Sequence, residues 1–484
     1  MRRLFPRLIP SVLLVSLLAA CAGPRAPAPV LREPSVQQQM APVEAAFADA
    51  GVPLDAVAID IRAADGGGTL FALNNERPMQ PASVMKLLPT QAALELLGPA
   101  HRWVTRIHAN GAIVDGVLDG DLVIEGGGDP QFSHHHLWRL LARVRALGLR
   151  EVRGKLLVDR SLFAPATYDA AAFDGQPERA YNAAPDALLL NSHALSVRIA
   201  PVIVGRPATL ISEPSLDGFA VDAPVVSDEP CTSPYRQLQP VPDRDHLRFL
   251  GRYPLACGER EFGFHLYTLD PVRYAGAVFR TLWSQLGGRI DGEVAEGSVV
   301  PGSRELASWE SEPLAVQVRD INKHSSNPMA RNLLLNIVAQ RGGTPATADA
   351  AAARVLGWMS AAGIDPSKVV LQNGSGLSRE ERMPAATLAA LLQRAWRQPT
   401  MPEFIASLPV AGIDGTMARR FADSPLRGSA HIKTGSLSGV ASIAGYVTTR
   451  SGRRAVVVCM VNHPNANAAR AAFDRLLVKV WETY

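Results

Sequence analysis

The chain has 484 residues, of which 47% are hydrophobic and 19% charged, and its formal net charge is +4. That length leaves room for about three domains of roughly 150 residues each, and the balance of apolar and charged residues excludes a disordered, solvated chain. Residues 1–20 carry Arg2, Arg3 and Arg7 and no acid, so a chain without them has a net charge of +1, too small a basic excess for a nucleic-acid surface.

In chain order, MRRLFPRLIPSVLLVSLLAAC joins a basic start, an apolar run and small residues before Cys21, the layout of an export signal. The run from Ser11 to Ala20 is too short to span a bilayer. Leu18, Ala19, Ala20 and Cys21 resemble the lipobox of bacterial lipoproteins. The resemblance implies lipidation of Cys21, and Ala22 in place of aspartate resembles lipoproteins sent on to the outer membrane. Residues 21–40 are rich in Pro and Gln and read as a tether. An oxidising compartment would allow a Cys231 to Cys257 disulfide, whereas Cys459, inside AVVVCMVN, reads as a buried thiol.

From Gln39 to Gly51 the apolar spacing predicts an amphipathic helix, and AVAIDIRAADGGGTLFALNNERPM predicts two strands around a Gly-rich turn. VMKLLPTQAALELLG predicts a helix with Ser83 at its entrance and Pro89 kinking it or near its end. Residues 94–278 read as an inserted, mainly β region, large enough for two subdomains, with one helical patch at HLWRLLARVRALG. Helical patterns return in AGAVFRTLWSQLGG, PLAVQVRDINKHSSNPMARNLLLNIVAQRGG, TADAAAARVLGWMSAAG and PAATLAALLQRAWRQ. HIKTGSLSG, ASIAGYVTT and AVVVCMVN then predict consecutive strands, and NANAARAAFDRLLVKVWETY an amphipathic closing helix. The expected fold class is α+β: a catalytic domain from 41–93 and 279–484, with an antiparallel sheet flanked by helices and a helical lobe, interrupted by the insertion.

Lysine is rare. Lys86, Lys155, Lys323, Lys368, Lys433 and Lys479 are the only lysines among 49 basic residues, so a lysine kept against this bias suggests a role arginine cannot fill, such as losing a proton. Lys86 stands three residues after Ser83, in Ser-Val-Met-Lys, a spacing that puts amine and hydroxyl on one helical face. Ser325, Ser326 and Asn327 supply Ser-x-Asn at the start of another helical run, and Lys433, Thr434 and Gly435 supply Lys-Thr-Gly. The same last stretch also contains G-x-S-x-G around Ser438, but a nucleophile elbow needs a strand, a sharp turn and then a helix, and a β-like run follows Gly439.

Ser-x-x-Lys, Ser-x-Asn and Lys-Thr-Gly in this order resemble the penicillin-recognising serine enzymes. Together with GDLVIEGGGDP, VDRSLF, AYNAAPDALLLN, NGSGLSR and RGSAHIKTGSLSGVASIAGYV, they make the chain, from about Val43 to Tyr484, similar to the D-alanyl-D-alanine carboxypeptidase/endopeptidase family of the penicillin-binding protein four type. Asn373 stands where that family leads one to expect aspartate. The resemblance implies a penicillin-binding/β-lactamase-like catalytic fold and a serine DD-peptidase acting on peptidoglycan stem peptides or cross-links. It also implies β-lactams as inhibitors, no cofactor, and a periplasmic location with membrane contact only through the lipid anchor. A β-lactamase or esterase of the same superfamily and a non-catalytic peptidoglycan-binding scaffold are the alternatives. The insertion between Lys86 and Ser325 weighs against the first, and three intact motifs weigh against the second.

The chemistry follows from the residue types. A serine hydroxyl must lose its proton as it attacks a carbonyl, and Lys86 can take that proton only as a neutral amine, which burial and a second cation, Lys433, would favour. The resemblance gives Lys433 and Thr434 the substrate's terminal carboxylate, Ser325 a proton relay to the leaving nitrogen, and Asn327 the substrate amide. Gly435 and Ser436 line the same strand, and the resemblance implies the backbone N–H groups of Ser83 and Ser436 as oxyanion donors. No metal is expected: His134, His135 and His136 are adjacent, and the sequence spaces no carboxylate or cysteine with them. Gly126 to Gly128 lack a nucleotide-binding pattern, and Asp129 and Asp414 read as turn residues.

Overall fold

The computed structural model describes residues 36–342 and 345–484. The expected signal, most of the tether and Cys21 lie outside the described residues. Among the described residues no helix is long and apolar enough to cross a membrane.

The chain opens with α1 (Val36–Asp49), β1 (Val57–Ala63) and β2 (Thr69–Leu73), then passes through a 3₁₀ turn at Ala82–Lys86 into α2 (Leu87–Leu96). The Ser83 turn is thus 3₁₀ and not the first turn of the α-helix. Pro89 falls in the first α-helical turn, where a missing N–H is tolerated, and not near the helix end. An inserted region follows, with β3 (Val104–Val114), β4 (Val117–Glu125), α3 (His134–Ala146), β5 (Ala194–Ala200), β6 (Thr209–Glu213), β7 (Arg260–His265), α4 (Pro271–Gln285) and β8 (Arg304–Glu310) as its main elements. The helical lobe comprises α5 (Leu314–His324), α6 (Asn327–Ala339), α7 (Ala348–Ala361) and α8 (Ala385–Arg397). The chain then closes with β9 (Ala430–Leu437), β10 (Val440–Thr448), β11 (Arg454–Asn462) and α9 (Arg470–Thr483).

Strands from the two ends form one antiparallel sheet in the order β2-β1-β11-β10-β9. Side chains alternate across a strand, so the apolar run of β11 feeds two cores. Val457, Cys459 and Val461 pack with Phe47 of α1 and Phe473, Leu476 and Leu477 of α9, while Val456, Val458 and Met460 face Leu388 and Leu392 of α8 and the helical lobe. Helices on both faces explain why β1, β10 and β11 read as continuous hydrophobic stretches and not as alternating ones.

The insertion has its own core, and it runs past the expected boundary at 278. Val278, Phe279, Leu282 and Trp283 of α4 pack into it, and β8 pairs antiparallel with β3. The helical pattern of 275–288 cannot reveal which of two cores it faces. Cys231 and Cys257 are disulfide-bonded, and Cys459 is a buried free thiol.

The insertion is joined to α6 through polar contacts. Asn332 and Asn336 donate to Gly128 O at 3.1 and 2.7 Å, and Gln340 donates to Gly127 O at 3.1 Å. A Cβ on Gly127 would lie 2.0 Å from Val104 O, and one on Gly126 would lie 2.6 Å from the Ala187 backbone. The triple glycine is therefore a close-packed joint.

Candidate active site

Four segments converge. In a 3₁₀ turn the side chains at i and i+3 eclipse, and Lys86 Nζ stands 3.0 Å from Ser83 Oγ. Lys86 is fully buried. Its other two partners are Asn327 Oδ1, at 2.6 Å, and the Ser375 carbonyl. Both are acceptors only, so in a neutral amine they take the two N–H bonds and leave the lone pair for the Ser83 hydroxyl. Burial holds the Lys86 pKa well below its ordinary value, the Lys433 and Arg331 cations lower it further, and the Glu381 carboxylate acts in the opposite direction.

Ser325 sits at a break between helices. Pro328 has no N–H with which to continue the first helix, so the chain turns through Ser325 in the left-handed region, at φ 57°, before α6 begins at Asn327. That conformation costs a serine about 1–2 kcal/mol. It is held where Lys433 Nζ reaches Ser325 Oγ at 2.9 Å. Lys433 projects from β9, is fully buried, and has its pKa lowered by burial to about 7. Its second contact is Thr434 O, at 2.8 Å.

The strand is pressed against the turn that carries Ser83. A Cβ on Gly435 would lie 2.3 Å from Ser442 Oγ and 2.8 Å from Ser83 N, and Ser442 Oγ donates to Pro81 O at 2.6 Å. Ser436 follows directly on β9, with its hydroxyl donating to Asn467 Oδ1 at 2.8 Å. Ser83, Lys86, Ser325, Asn327, Lys433, Thr434, Gly435 and Ser436 are therefore gathered at one edge of the five-stranded sheet. Ser438 is not part of this cluster. It lies in the exposed turn between β9 and β10, and a strand, not a helix, follows it.

Several residues here carry no motif. Glu381 is fully buried and accepts backbone N–H bonds from Gln372, Asn373, Gly374 and Gly376 at 2.8–3.2 Å, which fixes the loop that presents the Ser375 carbonyl to Lys86. Arg331, also buried, donates to Tyr181 O at 3.1 Å and Ala183 O at 2.8 Å, and Asn327 Nδ2 lies 3.4 Å from Tyr181 O. The AYNAAP segment of the insertion thus forms one wall of the cluster. Thr416 Oγ1 accepts from Thr434 Oγ1 at 2.9 Å, and its loop is tied down by a Lys323–Asp414 ion pair at 2.7 Å. Asp414, expected to be a turn residue, is that loop's anchor. The one available signal was the scarcity of lysine, which marks Lys323 as well as Lys86 and Lys433.

Two of the histidines have a partner that is distant in sequence. Glu213, 79 residues from His134 in sequence, places its carboxylate 2.9 Å from His134 Nε2 and 3.6 Å from His135 Nε2. A partner from another strand cannot be seen in local spacing.

Residues 39–480 match the model of the D-Ala-D-Ala carboxypeptidase 3 (S13) family. Over 435 residues the chain is 30% identical to a D-alanyl-D-alanine carboxypeptidase of Actinomadura sp., covering 86% of this chain and 79% of that one. It is 26% identical over 401 residues to the D-alanyl-D-alanine carboxypeptidase DacB of Haemophilus influenzae, 82% of each chain. Among solved structures, its fold is similar to that of penicillin binding protein 4 from Haemophilus influenzae, with a TM-score of 0.75 and 23% identity, covering 90% of this chain and 99% of that one. The expected α+β fold of the penicillin-binding type is the fold found.

Proposed function

The chain belongs to the D-Ala-D-Ala carboxypeptidase 3 (S13) family and is a serine DD-peptidase of peptidoglycan metabolism, in which, we propose, Ser83 is the nucleophile and Lys86 its general base. The observation that carries this assignment is the 3.0 Å contact between Ser83 Oγ and the wholly buried Lys86 Nζ, whose other two partners are carbonyl acceptors. Ser83 Oγ attacks the carbonyl of the penultimate D-alanine of a stem peptide while its proton passes to Lys86. The backbone N–H groups of Ser83 and Ser436 stabilise the oxyanion, a contribution worth a hundredfold or more in rate, about 3 kcal/mol, per donor.

Lys433, protonated, and the Thr434 hydroxyl hold the terminal carboxylate, with Gly435 leaving room for close approach of the strand. Asn327 hydrogen-bonds the substrate amide. Ser325, in contact with Lys433, relays to the departing nitrogen the proton that Lys86 took from Ser83 as the C–N bond breaks, leaving Lys86 neutral again, and water then hydrolyses the acyl-Ser83 ester. A free D-alanine as leaving group makes the reaction a carboxypeptidase step, and a cross-linked neighbouring peptide makes it an endopeptidase step. A penicillin binding protein 4 from Haemophilus influenzae is known in complex with a novel β-lactam, which supports β-lactams as acylating inhibitors here. The export signal and lipobox of the sequence support a periplasmic enzyme anchored to the outer membrane through Cys21.

Fluorescent penicillin labelling of wild type and Ser83→Ala, with an assay of D-alanine released from a pentapeptide, tests this reading. Label and D-alanine release in wild type, both abolished in Ser83→Ala, are expected. Label retained by Ser83→Ala would overturn the assignment of the nucleophile. Mass spectrometry of the mature N-terminus tests Cys21.

A further inference from the structure

Away from the active site, one ligand atom each from His134, His135 and Glu213 lie within 4.8 Å of one another. His134 is the first residue of α3, and Glu213 ends β6, the edge strand of the three-stranded sheet β7-β5-β6. His136 is not involved, because its Nδ1 accepts from Ser133 N at 3.3 Å and its ring stacks on Trp309 at 4.9 Å.

Hydrogen-bond bookkeeping fixes the His134 tautomer. Tyr274 Oη donates to Ala194 O at 2.7 Å and is left to accept from Asn191 Nδ2 at 3.3 Å. The Asn191 amide oxygen is thereby turned toward His134, where it accepts from the backbone N–H at 3.0 Å and lies 3.0 Å from Nδ1. An amide oxygen only accepts, so Nδ1 carries the proton, and Nε2 of the neutral ring presents a lone pair. That lone pair faces Glu213 Oε1, a second acceptor, at 2.9 Å, and His135 Nε2 faces the same oxygen at 3.6 Å. Acceptors converging in this way are held together either by a proton on Nε2, as an ion pair, or by a metal ion among the lone pairs, and the third donor, His135 Nε2, favours the metal.

We propose that His134 Nε2, His135 Nε2 and Glu213 Oε1 bind a divalent transition metal of the zinc class, with water completing the coordination. Two imidazoles and one carboxylate suit zinc better than magnesium or calcium, which prefer all-oxygen sets. Tetrahedral zinc with bonds of about 2.0–2.2 Å sets its N and O ligands about 3.4 Å apart, a value bracketed by the observed 2.9 and 3.6 Å. The side chain of His135 is 70% exposed and free to rotate the remaining distance. Asn191 plays the part of the outer partner that orients a metal-bound histidine. The ion would cross-link the start of α3 to the end of β6, pinning an edge strand of the insertion.

The test uses untagged protein, stripped with a chelator and titrated with Zn²⁺ against a colorimetric competitor. One Zn²⁺ per chain is expected, undisturbed by excess Mg²⁺, with a rise in melting temperature. Glu213→Gln and the exposed His135→Ala should each weaken binding about tenfold or more, with β-lactam acylation unchanged. A proton instead of a metal between His134 and Glu213 predicts no Zn²⁺ binding and overturns the proposal. Binding as tight in both variants as in wild type also overturns it.

Discussion

Ser375 O and Ser83 Oγ both contact Lys86 Nζ, but only the serine hydroxyl can donate to it. The site thus discriminates between a lysine that can lose its proton and an arginine that cannot. Lys86→Arg should retain the fold and lose acylation by about 10²–10⁴-fold, the usual worth of a general base. Stopped-flow acylation by a β-lactam measures this. A loss of less than about tenfold would remove Lys86 from the role of base.

Glu381 is the buried anion that acts on Lys86 from behind the Gln372–Gly376 loop. Because it raises the Lys86 pKa, its neutralisation in Glu381→Gln should lower that pKa further and move the acidic limb of the acylation pH profile to lower pH. The amide also sets an N–H donor against the backbone donors that the carboxylate satisfied, at a cost of about 1–3 kcal/mol. Melting curves read the second effect and the pH profile the first. A folded variant with an unmoved acidic limb would make Glu381 a purely structural group.

Lys433 predicts a basic limb. Its pKa, lowered by burial to about 7 in the free enzyme, leaves the amine increasingly neutral above that pH, so KM for a carboxylate-ended substrate should rise about tenfold per unit while kcat changes less. Stability moves the other way. The folded pKa lies below the ordinary 10.5, so between about pH 7 and 10 the unfolded chain holds the extra proton and stability rises with pH. Lys433→Met should abolish the KM trend in kinetics and, in thermal melts, weaken but not remove the rise in stability, because Lys86, its pKa also held down by burial, still contributes to it.

What could be read from the sequence was local. Ser83 with Lys86, Ser325 with Asn327, and Lys433 with Thr434 each sit within four residues of a partner, and hydrophobic periodicity placed the terminal strands and helices around them. Glu381 could not be found in this way, because Glu380-Glu381 beside two arginines looks like any solvated loop until the surrounding backbone closes over one carboxylate. Tyr181, Arg331 and Glu213 act through contacts made across the insertion, and the end of that insertion was misplaced because the apolar face of α4 does not say which core it joins. Ser325 in the left-handed region was equally hidden, although Pro328 marks where the helix must break.

The Lys323–Asp414 pair predicts a positioning effect on Thr434. Asp414→Ala should free the loop carrying Thr416, removing the 2.9 Å partner of Thr434 Oγ1 and raising KM more than it lowers kcat. Asp414 is 36% exposed, so the loss of stability should fall below the about 3–5 kcal/mol of a fully buried pair. Thr416→Val should reproduce the KM change without the loss of stability, and an unchanged KM in both variants would detach this loop from substrate binding.

Gly376 and Gly374 separate backbone strain from placement of the nucleophile. Both are left-handed, at φ +80° and +71°, so alanine is strained at either. At 376, however, the new Cβ would lie 2.0 Å from Ala82 O and 2.8 Å from Ser83 N, whereas at 374 it would meet Pro89 and Leu334 side-chain atoms at 3.2–3.3 Å. Backbone cannot yield as a side-chain terminus can, so Gly376→Ala must push the loop and Ser83 apart, and a displacement near 1 Å costs about a hundredfold in rate. Gly374→Ala should lower the melting temperature comparably and keep most of the acylation rate. Equal kinetic losses in the two variants would mean that strain alone, and not the seat of Ser83 against this loop, governs the reaction.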